Sequence, residues 1–189
     1  MRVNVKKLSV IVIVVLSASL FHIGVVLGQA DPGETEYWAL LIGISDYPGT
    51  ENDLNYCDDD ANDIRSALIN SQGWDPSNIY TLIDSNATAQ NVLDHLSMLS
   101  TNVDSTDVFL LTFSGHGTYT VDNNADELDG WDELLVLHDG YLWDDDLETA
   151  LGEFVTDTIM VVLDSCYSGG FIKSTSGFSE DPLVRRTLP

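Results

Sequence analysis

Two side chains in this sequence have the types, surroundings and spacing for nucleophilic chemistry. Cys166 lies in Asp164-Ser165-Cys166-Tyr167-Ser168-Gly169-Gly170, and His116 lies in Ser114-Gly115-His116-Gly117. A thiolate attacks carbonyl carbon, and an imidazole in hydrogen-bond reach can take its proton and pass one to a leaving group. Each motif directly follows an apolar run, residues 159–163 before the cysteine and 108–113 before the histidine. Such runs read as strands buried on both faces of a parallel sheet. Adjacent strands of that kind deliver their polar ends to the carboxyl edge of the sheet, where open α/β folds place ligands. A lone buried cysteine is more often inert core, and a lone histidine more often a packed polar residue. The shared Gly/Ser setting and the separation of 50 residues favour a working pair.

The elements that must position this pair are legible from periodicity. Residues 37–44 form a first buried strand, stopped by Asp46-Tyr47-Pro48-Gly49. Asp58-Asp59-Asp60 precedes a helix over 61–71 with apolar residues at helical spacing. A second strand covers 79–83. Thr88 caps a helix running to about Ser100, with Val92, Leu93, Leu96 and Leu99 on one face. After the third strand, 108–113, comes an acidic loop over 118–132. Residues 133–137 form a short strand of a hairpin outside the main sheet, and 144–154 a helix opened by Asp144-Asp145-Asp146. The fourth main strand is 159–163. Strands alternating with helices make the class α/β with a mostly parallel sheet.

Together the two signatures resemble those of the caspase-like cysteine peptidases, in the metacaspase and orthocaspase branch. Ala39-Leu40-Leu41-Ile42-Gly43-Ile44, Gly130-Trp131-Asp132-Glu133 and Asp144-Asp145-Asp146-Leu147 are similar to that branch's other landmarks, in the same order. The resemblance covers residues 37 to about 171. It implies a three-layer αβα domain, truncated at its C-terminus, because the family's sheet has six strands and four main ones are legible. It implies a cysteine endopeptidase in which Cys166 attacks and His116 assists. The backbone N–H groups of Gly117 and Cys166 would form the oxyanion hole. Asp60, Ser114 and Asp164 would line the pocket for the residue before the cut. A carboxylate two residues before the nucleophile suits arginine or lysine. No cofactor is required by this chemistry. The branch also uses a calcium site, whose ligands here would be Asp132, Asp144 and Asp145; Lys173 stands where a further aspartate is expected. Asp122, Asn124, Asp126 and Glu133 match an EF-hand loop in part, but Glu127 occupies the glycine position.

Charge and ends bound the remaining choices. The 189-residue chain carries 7 Lys+Arg and 31 Asp+Glu. Residues 1–30 hold Arg2, Lys6 and Lys7, no acid, and a long apolar run. They read as a signal peptide or an N-terminal membrane anchor, leaving 31–189 as the peptidase domain, secreted or held on the extracytoplasmic side. That domain has a net charge of −27. It repels nucleic acid and suits peptide or protein substrates with basic residues; any membrane contact comes through the N-terminal segment. Two cysteines, Cys57 and Cys166, are expected to stay unpaired. Two other readings stay open: a catalytically silent acidic module that binds calcium or a basic partner, and a gingipain-like or legumain-like peptidase of other specificity.

Overall fold

A parallel four-strand core carries the site. The computed structural model describes the backbone of residues 12–16 and all of 33–121 and 130–168. β1 (Val12–Leu16), β2 (Tyr37–Gly43), β3 (Trp74–Ile83), β4 (Val108–Ser114) and β8 (Ile159–Asp164) form one sheet in the order β1-β8-β4-β2-β3. β2, β3, β4 and β8 run parallel, and β1 is antiparallel to β8. From β2 the chain builds first outward to β3 and then, on the other side, to β4. The strand order therefore reverses at β2, and the crevice expected at such a switch opens at the carboxyl ends of β2 and β4.

Burial explains why both faces are covered. In β2, Ala39 and Leu41 face one cluster with Ala61, Ile79 and Leu110. Leu40 and Ile42 face the larger cluster with Val92, Leu96, Leu99 and Leu147. Alternate residues of one strand thus pack under helices on opposite sides, as a strand's two-residue period requires. α1 (Cys57–Ile69) covers one face; α2 (Ala89–Asn102) and α3 (Asp144–Gly152) cover the other. This is the three-layer αβα arrangement.

Several boundaries differ from the sequence expectation. α1 starts at Cys57, so Asp58, Asp59 and Asp60 sit inside its first turn. Its start is capped from a distance: Ser45 Oγ accepts from the N–H groups of Cys57 (3.0 Å) and Asp58 (3.2 Å) and donates to the Asp58 carboxylate (2.5 Å). β3 begins at Trp74, with an irregularity that lets residues 75–78 bulge out before pairing resumes at Ile79. Pro76 is tolerated there because β3 is an edge strand. Thr88 does cap α2, accepting from Asn91 N–H at 3.2 Å. Of the loop expected over 118–132, residues 118–121 and 131–132 instead belong to a second, antiparallel sheet. β5 (Gly117–Val121), β6 (Trp131–Leu137) and β7 (Gly140–Trp143) lie in sequence order. Asp122, Asn124 and Asp126, Lys173, and the chain beyond residue 168 lie outside the described residues. Val12–Leu16, within the expected leader, pairs along the free edge of β8.

The amino ends of β2 and β4 are tied by one buried carboxylate. Asp107 accepts hydrogen bonds from Glu36 N–H (2.8 Å), Trp38 Nε1–H (3.2 Å) and Asp104 N–H (2.8 Å). Asp107→Ala would leave three part-buried donors without their acceptor. It should lower unfolding stability by about 2–4 kcal/mol, read from urea denaturation midpoints.

Candidate active site

Strand register brings the two signatures together. β4 pairs with β8 in parallel, with Ser114 opposite Asp164. His116 and Cys166 each lie two residues beyond those partners, so both chains leave the sheet side by side. Gly115 N–H donates to Asp164 O at 3.2 Å and continues the pairing one step past the strands. Gly117 packs directly on the nucleophile's peptide: a Cβ there would run into the Cys166 carbonyl oxygen and lie 3.1 Å from Ser165 Oγ. Only glycine permits that approach. Cys166 is an exposed free thiol, and Tyr167 behind it holds a left-handed φ of 61°.

His116 is oriented from two directions. Its Nε2 lies 2.9 Å from the Asn52 carbonyl oxygen. A carbonyl can only accept, so Nε2 carries the proton and Nδ1 is left as the basic nitrogen. Its ring rests against Tyr47, with centroids 4.9 Å apart. The Tyr47 hydroxyl accepts from His116 N–H (2.9 Å) and donates to Val136 O (3.1 Å). Val136 N–H in turn donates to His116 O at 2.9 Å. Burial pushes the Tyr47 pKa up to about 12, so the hydroxyl keeps its proton. Neither Asn52 nor Tyr47 is singled out by the sequence. Asn52 acts through its backbone, which carries no residue signal; Tyr47 sits in a segment that reads as a strand stop.

A carboxylate cluster forms where β4 and β8 end beside the first turn of α1. Ser114 Oγ donates to Asp60 Oδ2 at 3.0 Å. The Asp164 carboxyl is pushed above the usual carboxylate range, first by burial and then by the charge of Asp60. Cys57 joins this cluster. Burial raises its pKa, with the charges of Asp60, Asp164 and Asp58 adding to the rise against a hydrogen bond with Ser114. Thus Asp60, Ser114 and Asp164 are gathered as the sequence expectation required, with Cys57 as an additional member. Arg65 is the one Lys or Arg among the described residues, and it stands on α1 beyond Asp60.

The comparisons follow from this geometry. Residues 36–185 match the family described as the caspase domain. The chain belongs to the caspase domain family. Metacaspase-4 of Arabidopsis thaliana is 34% identical over 142 residues, covering 71% of this chain and 34% of that protein. Metacaspase-1 of Schizosaccharomyces pombe is 31% identical over 161 residues, covering 76% of this chain and 38% of that protein. A Geobacter sulfurreducens protein of known crystal structure superposes with a TM-score of 0.58 at 32% identity, over 71% of this chain and 52% of that one. This caspase domain therefore spans a little over a third of the length of the curated relatives it matches.

The residues that the resemblance implies as calcium ligands lie on β6 and α3. Asp132 on β6 and Asp144 at the start of α3 are buried, and Asp145 follows in the same helical turn. Their carboxylates are the hard donors calcium prefers. Among the described residues, however, no group of three or more His, Cys, Asp or Glu side chains is drawn together to hold a metal ion.

The raised Asp164 pKa has a consequence for stability. Its folded value exceeds its unfolded value, so folding favours the protonated form. That contribution is fully present below the ordinary carboxylate pKa of about 4 and is lost as pH rises through the folded value. Asp164→Asn removes the charge that folding disfavours. Thermal melts should show the variant more stable than wild type at pH 7, by roughly 1–3 °C, with the gap closing toward about pH 4.

Proposed function

We propose that this caspase domain is a cysteine endopeptidase that cleaves after arginine or lysine through a Cys166–His116 dyad. The observation that carries the reading is the carboxylate cluster. Asp60 and Asp164 are held together near an exposed thiol, and among the described residues no cation offsets the rise in the Asp164 pKa. A guanidinium or ammonium entering there would relieve the repulsion between the two carboxylates and gain charge-assisted hydrogen bonds.

The cycle is acyl transfer. The Cys166 thiol gives its proton to His116 Nδ1, and the thiolate sulfur adds to the scissile carbonyl carbon. The N–H groups of Gly117 and Cys166 hold the oxyanion. When the C–N bond breaks, His116 returns the proton to the departing amine and a thioester remains on Cys166. Water, deprotonated by the same imidazole, hydrolyses the thioester and regenerates the thiol. The Asn52 carbonyl stabilises the imidazolium formed between these steps.

Residues 1–30 serve in this reading as a signal peptide or anchor, so the domain acts outside the cytoplasm, secreted or tethered. Calcium modulates the enzyme weakly through Asp132, Asp144 and Asp145, and calorimetry should find modest affinity; submicromolar binding would refute that role.

Cys166→Ala and His116→Ala should each abolish peptide hydrolysis while circular dichroism stays native. Asp164→Ala should lose about a hundredfold in kcat/KM on arginine substrates, because the substrate cation would be buried without its partner. Turnover retained in either dyad variant, or cleavage mainly after Asp or Asn, would overturn the proposal.

A further inference from the structure

His116 and Gly117 line a cleft, and Gly117 packs on the Cys166 peptide. That cleft has a volume of about 580 Å³. The loop residues Pro48 and Asn52 form one wall; Val136, Asp139 and Tyr141, from the hairpin of the small sheet, form the other. His116 and Gly117 close its inner end. From this geometry we infer that the cleft is the subsite for the residue that follows the cleaved bond, taking a large aromatic or aliphatic side chain and excluding an acidic one.

The inference rests on the endopeptidase reading and extends it to the leaving group. The acyl half of the substrate occupies the Asp60–Ser114–Asp164 side of Cys166. The leaving amine must reach the imidazole that protonates it, so it lies on the His116 side. The residue carrying that amine then projects past the ring into the space where the cleft opens.

The lining sets the chemistry. Tyr141 is 56% exposed and has ring surface to cover. Pro48, Val136 and the buried Tyr47 add apolar surface. Among the described residues the lining holds no arginine or lysine and one carboxylate, Asp139, which is fixed by a hydrogen bond from Ala89 N–H at 2.9 Å. An aspartate or glutamate after the cut would meet this fixed charge with no cation to answer it. An aromatic ring would bury area against Tyr141 and Pro48 and gain edge-to-face contact. The cleft is wide enough for such a side chain, and its mouth is open for the rest of the peptide.

The test reads both sides of the cut separately. The protein is incubated with a peptide library of mixed sequence, and the new ends are identified by mass spectrometry. Wild type should show Phe, Tyr, Trp or Leu enriched directly after the cut, and Asp and Glu depleted, whatever residue precedes it. In matched peptides with arginine before the bond, replacing Phe after it by Gly should lower kcat/KM about tenfold. Tyr141→Ala should lower kcat/KM about tenfold on the Phe peptide and less than roughly twofold on the Gly peptide. Val155→Ala, at an exposed position outside the cleft, should keep the wild-type ratio. A flat profile after the cut, or an equal loss on both peptides in Tyr141→Ala, would overturn this inference and leave the proposed activity standing. Loss of the Arg/Lys preference before the cut would overturn the proposed specificity while the profile after it stays readable. No cleavage at any site would overturn both.

Discussion

The parallel register of β4 on β8 is the constraint on which the site depends. Ser114 opposite Asp164 fixes everything that follows each strand. Two residues later the chains carry His116 and Cys166, and the Gly115 N–H to Asp164 O bond holds the exits together. A one-residue slip would invert every side chain of one strand relative to its faces. It would bury Asp164 differently and carry His116 out of step with Cys166. Phe109, Leu111 and Phe113 on one strand, and Val161 and Leu163 on the other, oppose that slip because they are buried together in the core on one face of the sheet. The apolar core therefore specifies the chemistry as well as the stability.

The same register forces an electrostatic conflict. Asp164 ends β8 next to Ser114, and Ser114 holds Asp60 of α1. Two carboxylates and the Cys57 thiol are thereby crowded at a half-buried sheet edge, and both Asp164 and Cys57 are driven toward their neutral forms. A purely structural cluster would be expected to carry a compensating cation. Under the proposed reading an incoming cation supplies the compensation, so that the site is less stable empty than occupied, which is how strained functional sites commonly differ from the rest of a fold.

Legibility in the sequence followed burial. The runs at 37–44, 108–113 and 159–163 could be read because strands buried on both faces leave a continuous apolar signature, and α2 because Thr88 caps it locally. The start of α1 could not be read, because its cap is Ser45, twelve residues earlier, a contact created by the fold. β5 and β7 were hidden for a different reason. Gly117–Val121 is half-exposed and polar, and Gly140–Trp143 is only four residues long, so neither carries enough periodicity to separate strand from loop. Within the candidate site, the strand ends of the sequence point to Cys166, His116 and Asp164, and the family resemblance adds Ser114 and Asp60. Asn52 was not legible, since its contribution is a carbonyl oxygen. Cys57 reads in the sequence only as an unpaired thiol at the end of a loop ahead of the helix, and it gains its place in the cluster only through folding.

Tyr47 joins these parts into one unit. Its hydroxyl bridges the His116 peptide and Val136, and its ring supports the imidazole. The loop after β2, the histidine turn and the small antiparallel sheet are thereby connected through a single buried side chain. Gly115 is required by the same contact, since a Cβ there would fall 2.7 Å from the Tyr47 oxygen. With its pKa near 12, the hydroxyl remains a donor to Val136 at every pH where a thiol and an imidazole trade protons. The position of His116 is thus insulated from titration of its support. Because Val136 and Pro48 flank the cleft beside that same ring, the orientation of the proton donor and the shape of the space next to it are set by one network, and neither can shift without the other.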